Sequence, residues 1–104
     1  MIREEILSGD NSWVGLAYTA PGSDSGWHHH GDYESYIYLA SGRGHFDFGP
    51  AGGDTCEAEP GDFVYVPRGA IHRETNPGDK ETLFVVFRVG EGKPLFNVDS
   101  PAQG

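Results

Sequence analysis

At 104 residues the chain has room for one domain, residues 1–104, burying about two-thirds of the surface its unfolded form exposes, so it can stand without covalent staples. Its 16 acidic and 7 basic residues leave a formal net charge of −9, which repels phosphate backbones and anionic lipid and argues against nucleic acid or a membrane as partner. A lone cysteine, Cys56, excludes an intrachain disulfide framework, and its acidic neighbours Asp54, Glu57 and Glu59 mark it as structural rather than reactive.

In chain order the sequence reads as short strands cut by glycine- and proline-bearing turns. The first residues carry acids where a signal peptide carries basic and then apolar ones, so a cytoplasmic location is expected, and residues 2 to 7 suit an edge strand. Ser12 to Ala20 follows the turn Ser8-Gly9-Asp10-Asn11 and alternates in part, with Trp13, Val14, Leu16 and Tyr18. Tyr33 to Ala40 is rich in tyrosine and aliphatics, and Ser41-Gly42-Arg43-Gly44 turns it back into His45 to Phe48. A hairpin connection at Gly49 to Asp54 leads to a short acidic strand, Thr55 to Glu59, and then to Asp62 to Val66. The most apolar strand is Thr82 to Val89, and a last short one is expected around Leu95 to Val98 in an otherwise loosely held tail. No stretch holds a helical period and none is long enough to span a membrane, so the fold class is all-β, a sandwich or barrel.

Chemistry concentrates in His28-His29-His30-Gly31-Asp32-Tyr33-Glu34. Side chains at i and i+2 of a strand share a face about 6–7 Å apart, so His28 and His30 point together while His29 turns away. Gly31-Asp32 is a good turn pair, and past it Glu34 can return to the same point. Imidazole and carboxylate converging on one spot is what a borderline divalent cation selects.

Further on, Gly61, Pro67, Gly69, His72 and Asn76 recur at the spacing G-x5-P-x-G-x2-H-x3-N, while Gly22, His28, His30 and Glu34 follow G-x5-H-x-H-x3,4-E. Together these stretches resemble the two motifs of the cupin family. One position departs: the glycine that closes the first motif is Gly42, a residue late, with Ser41 in its place, and a β-bulge between Tyr36 and Ser41 would absorb the extra residue.

The resemblance implies a jelly-roll β-barrel of two antiparallel sheets, a homodimer, and one divalent transition metal (Fe, Mn, Ni, Cu or Zn) held by His28, His30, Glu34 and His72. A barrel of this size encloses only a small molecule, so the expected partner is a small organic substrate. The leading expectation is a metal-dependent oxidoreductase of the dioxygenase type, with Glu34 or Glu74 as the catalytic base. The rivals are a metal-dependent isomerase, epimerase or lyase without oxygen chemistry, and a module that binds a small ligand without converting it. Glu74 shares the parity of His72 and either faces the cavity or pairs with Arg73 on the surface. Tyr36 and Tyr38, of the parity of Glu34, line the pocket or fill the core, and Arg68 at the turn beside the mouth would favour a carboxylate-bearing ligand.

Overall fold

The computed structural model describes residues 2–49, 54–91 and 96–98, and these form ten strands and no helix. The strands are β1 (Ile2–Ser8), β2 (Ser12–Thr19), β3 (His28–His29), β4 (Glu34–Ser41), β5 (Gly44–Phe48), β6 (Asp54–Ala58), β7 (Phe63–Val66), β8 (His72–Thr75), β9 (Thr82–Val89) and β10 (Phe96–Asn97). They pair antiparallel in two five-stranded sheets, ordered β1-β2-β9-β4-β7 and β10-β3-β8-β5-β6. The hairpin connection expected around residues 50 to 53, and the tail at 92–95 and from 99 on, lie outside the described residues.

Alternation decides what enters the space between the sheets. On the sheet β1-β2-β9-β4-β7, the larger of the two because its strands are longer, the inward residues are Ala17 of β2, Ile37 and Leu39 of β4, Val64 and Val66 of β7, and Phe84 and Val86 of β9. Phe46 of β5 and Ala58 of β6 meet them from the other sheet, with the Phe46 and Phe84 rings edge to face at 5.8 Å. Leu39 and Phe46 are almost fully buried, and each contributes about 1.5–3 kcal/mol of hydrophobic stabilisation. Cys56 packs against this core, and its sulfur lies 3.9 Å from the Glu57 carbonyl.

The late glycine of the first motif has a physical account. The β4–β9 ladder steps from Leu39 opposite Phe84 to Ser41 opposite Leu83, leaving Ala40 as the extra residue of a bulge. Gly42 then turns the chain with φ +85°, and a Cβ there would come within 2.7 Å of the Thr82 Cα. Thr82 holds that corner through its hydroxyl, which donates to the Arg43 carbonyl at 2.6 Å and accepts from the Arg43 amide at 3.1 Å. Only glycine suits both the dihedral and the approach.

Tyrosine placement corrects the sequence expectation. Tyr36 lies on the outer face opposite Tyr65, both nearly half exposed, and Tyr38 leans on the exposed Phe63. The strand's inward set is Ser35, Ile37 and Leu39, so the tyrosines stand on the face away from the pocket.

The second sheet carries an ionic row on β5, β6 and β8. His45 lies between Glu57 Oε1 at 2.6 Å and Asp47 Oδ1 at 2.8 Å, and the other Asp47 oxygen accepts from Arg73 at 2.9 Å. The Glu57 and then the Asp47 hydrogen bonds raise the His45 pKa above its usual 6.5. The folded chain therefore holds this proton more tightly than the unfolded one. Its contribution is complete below about pH 6.5 and is lost as pH rises through the folded-state value. With Glu57 solvent-screened, His45→Gln should cost on the order of 0.5 kcal/mol at low pH, and the gap to wild type should narrow as pH rises. Urea titrations across that range check this, and a gap independent of pH would contradict it.

Candidate metal centre

Three histidines meet inside the barrel on the smaller sheet. His28 of β3 stands directly opposite His72 of β8, and His30 follows β3 by one residue with the parity of His28. All three are buried, His72 completely. His29 turns outward as its parity requires, stacks on Phe96 at 4.8 Å, and accepts the Gly31 amide through Nδ1. The two motif turns are tied together, since the Gly69 amide donates to the Gly31 carbonyl at 2.8 Å, both glycines having positive φ. Asn76, the last position of the second motif, is a clamp: its amide nitrogen donates to the carbonyls of Thr19 and Lys80, and its oxygen accepts from Gly78.

Ring orientation is dictated by the backbone. His28 Nδ1 lies 3.0 Å from the Gly26 carbonyl and His72 Nδ1 lies 3.0 Å from the Ala70 carbonyl. A carbonyl oxygen can only accept, so both Nδ1 atoms carry the proton and both Nε2 atoms present a bare lone pair. Those two Nε2 atoms are buried without a hydrogen-bond partner. Ring centroids are 4.2 Å apart for His28 and His72, 5.0 Å for His28 and His30, and 5.1 Å for His30 and His72. One nitrogen from each ring lies within 4.8 Å of the others, so the three can converge on one ion. Burial, and then the neighbouring His72, push the His28 pKa down and favour the neutral imidazole that a metal needs. Two nitrogen donors oriented by backbone carbonyls and left without a partner, with a third imidazole beside them, fit a borderline divalent transition metal.

Glu34, expected as the fourth ligand, is not brought to this group. It begins β4 on the outward parity, where its carboxylate accepts the Tyr65 hydroxyl at 2.8 Å and lies 3.4 Å from the Arg68 guanidinium. The turn after His30 delivers Ser35, one residue later, to the inner face. The nearby carboxylate is Glu74, two residues beyond His72 on the same face, with Oε1 at 3.4 Å from His72 Nε2. Arg73 points the other way to Asp47 and Trp27, so the surface pairing of Arg73 with Glu74 does not occur. Burial opposes ionisation of Glu74, while the contact with His72 and then any positive charge on the histidine cluster favour it and pull its pKa down.

A narrow cavity of about 20 Å³ extends from the histidines toward the larger sheet. His30, Glu74, Ile37, Phe46, Phe84 and Val86 line it, together with three residues that sequence reasoning missed: Arg3, Ser35 and Arg88. Strand parity was the available signal for two of them, because Ser35 continues the Ile37–Leu39 set and Arg88 the Phe84–Val86 set.

Bound metal should therefore depend on the three imidazoles alone. Elemental analysis of tag-free protein is expected to give His28→Ala and His72→Ala at least about tenfold weaker metal retention, with His29→Ala and Glu34→Gln near wild type. Retention unchanged in His72→Ala would contradict the site.

The fold and site have relatives. A cupin-domain family model matches residues 15–99. No curated protein matches the chain. Among solved structures, the chain is similar to a conserved protein with a double-stranded β-helix domain from Klebsiella pneumoniae subsp. pneumoniae MGH 78578, at 22% identity over 91% of this chain and 81% of that one, TM-score 0.79. The protein TT1209 from Thermus thermophilus matches at 20% identity over 88% and 85% of the two chains, TM-score 0.77. A structure of DMSP lyases matches at 28% identity over 86% of this chain but only 45% of that one, TM-score 0.74. With motif spacing, barrel and family model in agreement over most of its length, the chain belongs to the cupin family.

Proposed function

We propose that this cupin is a divalent-metal-dependent oxidoreductase of the dioxygenase type, acting on a small organic substrate inside the barrel. The observation that carries the reading is the set of three buried imidazoles, two with Nε2 lone pairs that no protein group satisfies. Iron, manganese, nickel or copper held there would supply a binding place for dioxygen and a Lewis acid for the substrate. The chain's own residues do the rest. The Gly26 and Ala70 carbonyls fix the imidazoles in the ligating tautomer. Phe46, Phe84, Ile37 and Val86 exclude water from the reacting end of the cavity.

Glu74 serves this reading and its rival alike. Its carboxylate, 3.4 Å from His72 Nε2, is placed to accept a hydrogen bond from a substrate hydroxyl, thiol or water, or to take a proton from one. The 28% identity to DMSP lyases supports lyase chemistry as the second reading. Glu34, tied to Tyr65 and Arg68, is set aside as the base.

Oxygen uptake against thiols, diketones and catechol-like compounds tests the reading. Turnover should need metal and fall at least about a hundredfold in His72→Ala, whereas Glu74→Gln should lose about tenfold with metal retained. Turnover that proceeds equally without oxygen would overturn it in favour of the lyase. The outer face that exposes Tyr36, Phe63, Tyr65 and Phe87, next to the open edge of β7, supports a homodimer. Sedimentation should then give twice the chain mass, and a monomer at high concentration would exclude it.

A further inference from the structure

Across the β4–β9 ladder Ser35 stands opposite Arg88, both on the inner face of the larger sheet. Ser35 is 1% exposed and its hydroxyl oxygen has no hydrogen-bond partner, and Arg88 Nε is equally buried and equally unpartnered. The guanidinium rests on the Trp13 ring, 5.1 Å from the ring centroid. Gly15 leaves room for that indole, since a Cβ there would lie 2.3 Å from it. Among the described residues no carboxylate forms an ion pair with Arg88. Its charged neighbours are Arg3, which repels it, and Glu74, whose Oε1 lies beside His72.

Burial and then the Arg3 charge push the Arg88 pKa down, yet a guanidinium does not give up its proton in a protein. The Nε edge of a partly buried cation has thus been desolvated with no acceptor supplied. A buried donor is normally satisfied, because leaving it unpaired costs free energy. Ser35 and Arg88 open, with Arg3, into the cavity that His30 and Glu74 line from the other side.

We propose that Arg88 and Ser35, with Arg3 beside them, form a carboxylate-binding subsite that seats the acid group of a small substrate next to the three histidines. The inference rests on reading the barrel interior as the substrate site, and it names the substrate class: a small carboxylate whose remaining polar group reaches the imidazoles. The planar guanidinium fork and one hydroxyl match the two oxygens of a carboxylate. A phosphate dianion would need more donors than the fork and one hydroxyl supply, and its second charge would meet stronger repulsion from Glu74 than a carboxylate monoanion does. Arg68 does not compete for this role, because its Nε donates to the Asp32 carbonyl at 2.8 Å and its guanidinium faces Glu34.

Titration calorimetry with acetate and with acetamide, on chelator-treated and on zinc-loaded protein, tests the subsite. Acetate should bind the chelator-treated protein, with acetamide at least about tenfold weaker. Arg88→Met keeps the stem and removes the unpaired charge, so it should fold with a ligand-free melting temperature no lower than wild type. It should weaken acetate at least about tenfold, and Ser35→Ala about threefold, with zinc uptake unchanged in both. Loss of acetate affinity in Ser35→Ala supports the subsite even if Arg88→Met does not fold. Acetate binding intact in a protein that takes up no zinc would sink the metal reading and leave the subsite standing. Equal affinity for acetate and acetamide, wild-type acetate affinity in Arg88→Met, tighter binding of inorganic phosphate than of acetate, or acetate binding seen only with zinc and indifferent to Arg88 would each overturn the proposal.

Discussion

Two imidazole nitrogens, His28 Nε2 and His72 Nε2, lie buried with nothing in the chain to bond them, and much of the structure works to keep them there. Each left unsatisfied costs on the order of 1–3 kcal/mol. The cost persists because the Gly26 and Ala70 carbonyls hold the opposite edges of the rings, and because β3 and β8 pair at that one point. The tie from Gly69 to Gly31 and the Asn76 clamp then lock the turns that deliver the rings. Conformational strength is concentrated where a bound ion would relieve it.

The same pattern recurs a few residues away with the opposite sign of charge demand. Arg88 Nε and the Ser35 hydroxyl are buried and unanswered like the two imidazole nitrogens, but the guanidinium calls for an anion rather than a cation. Around the cavity two guanidinium groups face a single carboxylate, Glu74, and a divalent ion on neutral imidazoles would add further positive charge. In a chain whose formal net charge is −9, a cavity lined by two guanidinium groups and, among the described residues, one carboxylate stands apart.

Much of this was legible in the sequence, and the misses share a cause. The spacing around Pro67 and Gly69 announced the turn before His72, and the displaced Gly42 announced a bulge, which lies at Ala40. What failed was the count of residues through Gly31 to Tyr33, because a turn's conformation, not its composition, decides which of Glu34 and Ser35 enters the barrel. A carboxylate beside histidines suggested a ligand, whereas parity set by Ile37 and Leu39 sent it to Tyr65 and Arg68. Arg88 was missed because a charge near the end of an apolar strand reads as solvent-facing. Only its alternation with Phe84 and Val86, and the open edge left by Gly15 under Trp13, show that it points in.

X-ray absorption at the edge of a bound first-row metal tests the central claim most directly, because it counts imidazoles around the ion without reference to turnover. Scattering from three imidazole rings is expected, at about 2.0–2.1 Å if the ion is zinc, with the same spectrum in Glu34→Gln. A first shell of oxygen alone, or a spectrum unchanged when His72 is replaced by alanine, would contradict it.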